Sequence, residues 1–66
     1  MRLDDLLEVI REDTPLTLEV HNQNGYEGTY KFDIARDKSV INPTFASAIV
    51  AKIELVGKRI NIVIKR

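Results

Sequence analysis

The spacing of apolar residues changes period once, at Thr14-Pro15, and that change divides the chain into a helical lead and a β body. Leu3, Leu6, Leu7 and Ile10 recur at i, i+3, i+4 and i+7, one face of an α-helix. Asp4 or Asp5 suits its positive N-terminus, and Thr14-Pro15 stops it, because the residue before proline is pushed out of the α region. A helix is therefore expected over residues 3–13, and three turns persist only if they pack on something.

Beyond Pro15 the alternation has period two. Leu16, Leu18 and Val20 point one way, and Thr17, Glu19 and His21 the other. After the polar turn His21-Asn22-Gln23-Asn24-Gly25, Tyr26, Gly28, Tyr30, Phe32 and Ile34 are expected to share one face, opposite Glu27, Thr29, Lys31 and Asp33. Asn24-Gly25 favours a tight hairpin. Gly28, inside the second strand, marks a bulge, a sharp bend or close backbone approach. Val40-Ile41 allows a short third strand, Asn42-Pro43-Thr44 reads as a turn, and Thr44 can cap a single helical turn at 45–49. Val50 to Val56 alternates again, with Ile53 and Leu55 on one side and Lys52 and Glu54 on the other. Gly57-Lys58 is a two-residue turn. Ile60, Ile62 and Ile64 form one face of a last strand, while Val63 makes that strand apolar on both sides. Strands apolar on both faces are normally covered on both, and a neighbouring subunit is one such cover. The expected fold is mainly β: a helix at 3–13, then five antiparallel strands near 16–21, 26–34, 39–42, 49–56 and 59–65, strongly bent into a small barrel.

Sixty-six residues make one domain, 1–66. A chain this short buries only about 60% of the surface its unfolded form exposes, so support from outside the single core is expected. There is no cysteine and His21 is the only histidine, which argues against disulfides, thiolate metal sites and clusters of imidazoles. Self-association is the remaining support. The lack of cysteine fits a reducing cytoplasm, and no apolar stretch approaches the roughly 18 residues that span a membrane.

Net charge is zero but unevenly placed. Residues 1–33 hold eight acids and three bases, net −5, and residues 34–66 hold two acids and seven bases, net +5. A basic face meeting phosphate is one reading. Pairing of opposite charges across strands or between subunits is the plainer one, since strong nucleic-acid binders are usually basic overall.

A lead helix before short strands, with Leu16, Leu18, Val20, Asn22, Tyr26, Gly28 and Phe32-Asp33 in the first motif and Gly57, Ile60 and Val63 or Ile64 in the second, resembles the Sm and Sm-like family. Val40-Ile41 would be the apolar pair of strand three. One residue fewer than usual separates Gly28 from Asp33. The resemblance implies a homo-oligomeric ring of five to seven subunits, in which the strand at Ile60–Ile64 pairs with a neighbour's fourth strand, and a non-catalytic, RNA-chaperone-like role on single-stranded RNA. The family's base-reading asparagine falls on Asp37 or Lys38, and its arginine on Val56. An aliphatic side chain cannot hydrogen-bond a base edge, so the ring is expected to outlast the usual pocket.

The expected RNA contacts are then phosphate contacts from Arg36, Lys38, Lys58 and Arg59, and the expected subunit interface uses Ile53, Ile60, Ile62, Val63 and Ile64. No catalytic residue, metal site or cofactor is expected. His21 beside Glu19 lacks a third partner, Gly25 and Gly28 precede no helix that would complete a phosphate loop, and the aromatic set Tyr26, Tyr30 and Phe32 reads as core before it reads as a base-stacking platform. The alternative function class is a small phage-type module that binds a host protein.

Overall fold

Two β-hairpins lie side by side in this protein, each closed by a glycine in a conformation that side chains resist. The structure is a computed structural model that describes residues 1–11, 13–33, 38 and 41–66. Helix α1 spans Leu3–Val9, β1 Leu16–Asn22, β2 Gly25–Phe32, α2 Pro43–Ala46, β3 Ile49–Val56 and β4 Arg59–Lys65. Gly25 (φ 114°) ends the turn between β1 and β2, and Gly57 (φ 62°) turns β3 into β4. Both sit at positive φ, where a Cβ would be strained.

The sheet order is β2-β1-β4-β3. β2 pairs antiparallel with β1, and β3 antiparallel with β4. The two central strands run parallel, Leu16 opposite Ile60, Leu18 opposite Ile62 and Val20 opposite Ile64. Parallel neighbours cannot be joined by a tight turn, so the intervening chain acts as a crossover. Leu16, Leu18, Val20, Ile62 and Ile64 are fully buried along this seam, and Leu3 and Leu6 of α1 close over them with Ala48. Each such aliphatic burial stabilises by about 1.5–3 kcal/mol relative to exposure. The start of the chain is stitched to β3: Leu3 N donates to Ala48 O (2.9 Å), Val50 N to Met1 O (2.8 Å), and Arg2 bridges Ile49.

The alternating faces of β1 and β4 stand as read from the sequence. The five-stranded antiparallel barrel does not. Among the described residues there are four strands in a mixed, open sheet. Ser39 and Val40 of the expected third strand lie outside the described residues, and Ile41 and Asn42 are not in a strand. β2 ends at Phe32, and Ile34 also lies outside the described residues. Val63 is half-buried on the second face of β4, between its cross-strand neighbours Glu19 and Lys52. Helix α1 stops at Val9, short of the expected Asp13. Ile10 is already extended (φ −85°, ψ 136°), and no basic side chain complements the last turn. The cap of α2 is Asn42, whose side chain accepts from Thr44 N (2.8 Å) with Pro43 next in line, and not Thr44.

The bend expected at Gly28 is a β-bulge one residue earlier. Val20 pairs with Gly28 but His21 pairs with Tyr26, leaving Glu27 as the extra residue. One inserted residue moves what precedes it to the other face. Tyr26 therefore leaves the Gly28, Tyr30, Phe32 row and packs edge-on against His21, with ring centroids 5.7 Å apart. Phe32 packs on the core, and Tyr30 lies against Phe45 at 5.3 Å.

Candidate interaction surface

One face of the sheet is covered by α1, and among the described residues no helix packs on the other. The open face carries Thr29, Glu19, Val63 and Lys52 in one row and Lys31, Thr17, Asn61 and Glu54 in the next. A shallow depression of about 160 Å³ lies there, lined by Thr17, Glu19, Thr29, Lys52, Glu54, Asn61 and Val63. Its charges are mixed and its aliphatic content is one valine, which gives a ligand little to bury. Glu19 Oε2 and His21 Nε2 lie 2.7 Å apart, a pair on one strand face. Among the described residues no group of three or more metal-ligating side chains converges.

The expected phosphate contacts differ in their surroundings. Lys38 Nζ donates to the Arg11 carbonyl (3.2 Å). Arg59 donates to the Leu16 carbonyl (3.0 Å) and forms an ion pair with Asp33. Lys58 is exposed in the β3–β4 turn, and Arg36 lies outside the described residues. The charge asymmetry of the two chain halves is partly consumed in this way. Arg59 reaches Asp33, and Arg66 reaches Glu27 (3.0 Å), so bases of the second half meet acids of the first across the sheet.

Of the expected interface residues, Ile62 and Ile64 are buried between β1 and β3, Ile60 packs on the same core, and Val63 sits mid-sheet on the open face. β4 has a hydrogen-bonded neighbour along each side, so it offers no edge for a neighbouring subunit. Ile53 is different. It belongs to β3, an edge strand, and remains 50% exposed; Leu55 (72%) and Val56 (52%) flank it.

The two edges of the sheet are unlike. β2 is interrupted by its bulge, and Glu27 at that point is held by Asn22 Nδ2 (3.0 Å) and Arg66. It also carries Lys31, and bulges and edge lysines are devices that discourage strand addition. β3 has its register shift at Ala51, close to its start, where Met1 and Arg2 already occupy the outer side. From Lys52 to Val56 the ladder to β4 is regular. This stretch joins an apolar row, Ile53 and Leu55, to a strand edge that no other strand pairs with among the described residues. Leu55 and Val56 escaped the sequence reading, because alternation assigns Leu55 to the core face and cannot say that the helical layer stops short of it.

Comparison with protein-family models, with curated proteins and with solved structures finds no match for this chain.

Proposed function

We propose that this protein is a non-catalytic protein-interaction module that recognises an extended partner segment by adding it as a strand to the β3 edge. The observation that carries the reading is the stretch Lys52–Val56: a regular edge strand whose core-side residues Ile53 and Leu55 stay half or more exposed. Strand addition draws affinity from main-chain hydrogen bonds and specificity from alternate side chains. An exposed apolar edge is a liability that folded proteins otherwise blunt; the register shift at Ala51 and Lys52 blunt only the start of β3, and Ile53, Leu55 and Val56 beyond them stay half or more exposed.

Amide chemical shifts of isotope-labelled protein, followed while extended peptides of alternating apolar and charged residues are added, test this. Shifts concentrated at Ala51–Val56 support the proposal. Shifts confined to the β2 edge or the open face contradict it. An oligouridine titration at two salt concentrations addresses the RNA role. Binding that weakens with salt and perturbs Lys58 would favour phosphate contact over strand addition.

A further inference from the structure

Resting on the β3-edge reading, we propose that the strand this edge accepts is β3 of a second copy, paired antiparallel about a two-fold axis through Ile53, so that two four-stranded sheets become one. The argument comes from register. In a continuous antiparallel pair, residues directly opposite share a face, so a two-fold must pass through a residue and not between two. Three centres keep their nearest pairs on the free stretch Lys52–Val56: Ile53, Glu54 and Leu55.

Centring on Glu54 sets two glutamates against each other, and like charges directly opposite destabilise a pair; centring on Leu55 sets Glu54 against Val56, carries Ile53 onto Gly57 of the turn and sets Lys52 against Lys58. Centring on Ile53 sets Lys52 opposite Glu54 of the second copy and Glu54 opposite its Lys52. Ile53 then meets Ile53, and the regular pairing stops short of the register shift at Ala51. Lys52 and Glu54 already stand 4.0 Å apart on one face of the strand, both largely exposed. The two-fold would close them into four alternating charges.

The same axis lays Ile53 and Leu55 of each chain beside those of the other, continuing the apolar seam past the edge of the helical layer. Pairing through β2 has no comparable claim: its bulge breaks the ladder at Glu27, whose carboxylate is engaged by Asn22 and Arg66. One short strand per partner makes a small interface, below the roughly 1,200 Å² of standard complexes. The dimer is therefore a weak one, to be sought at about 10 μM to 1 mM protein.

Sedimentation equilibrium of the full chain, with Lys52→Glu, Glu54→Lys and their 1:1 mixture, tests the inference; all of these side chains are exposed, and circular dichroism checks the fold of each variant. The wild type should be a monomer–dimer equilibrium. Each single variant should weaken the dimer on the order of tenfold, since two facing pairs change from opposite to like charge. The mixture should recover it, because every facing pair is then opposite in sign. Leu55→Lys should also weaken it. A wild type that stays monomeric to 1 mM overturns the inference, as does a dimer indifferent to all these changes, or an assembly of five to seven subunits. If the wild type is monomeric yet peptides still shift Ala51–Val56, only the second copy is wrong; if neither associates there, the edge reading falls too.

Discussion

Asn22 holds the first hairpin by two bonds, its Oδ1 accepting from Asn24 N (2.8 Å) and its Nδ2 donating to Glu27 (3.0 Å). The glycines of the chain divide by the same test of what a side chain does locally. Gly57, at φ 62°, is open on all sides but strained for any Cβ, so Gly57→Ala should cost about 1–2 kcal/mol in urea denaturation. Gly28 has no positive φ, and a Cβ there would only touch the Tyr30 ring, 3.4–3.6 Å away. Gly28→Ala should fall within about 0.5 kcal/mol of wild type or slightly above it, because glycine is costly within a strand. A large loss at position 28 would mean that the bulge needs glycine itself. In the seam, Leu18→Ala should cost about 2–5 kcal/mol, as fully buried leucines do. The sequence pattern alone disclosed this inner row, because period-two alternation records burial directly. Gly28 signalled a bulge or bend within one residue of Glu27, but the letters could not show which of these it was or that Tyr26 moves to the other face, since an inserted residue leaves their alternation unchanged.

At the scale of elements, the strands were legible and their neighbours were not. Val63 led to the expectation of cover on both faces of β4, yet one valine among polar neighbours is shielded by the long side chains beside it and marks no second layer. Parallel pairing of β1 with β4 depends on contacts between residues more than forty positions apart, which no local period encodes. The exposed basic residues were visible too, but Arg59 was already spent on Leu16 and Asp33. Two element-level outcomes follow. Asn42→Ala removes the cap of α2 and should lower stability by about 1 kcal/mol, without altering association. Leu55→Lys should do the reverse, leaving stability within about 0.5 kcal/mol of wild type while abolishing strand addition, because the side chain is largely exposed in the single chain. If Leu55→Lys unfolds the protein, Leu55 belongs to the core and the edge is not a free surface.

The whole molecule is as condensed as a self-contained domain of its length. Its radius of gyration is 10.9 Å, beside about 10.8 Å expected for 66 residues. Association at β3 therefore adds to a folded chain and does not complete one. The dimer fraction should rise with concentration, and its Kd should depend only modestly on salt, given four exposed charges beside an apolar contact. The most direct test is an isotope-filtered nuclear Overhauser experiment on an equal mixture of labelled and unlabelled protein near 1 mM, roughly the top of the range such an interface calls for. Contacts between chains are expected at Ile53 with Ile53 and at Lys52 with Glu54. Contacts between chains that fall at β2 or on the open face, with none at Ile53, would contradict it.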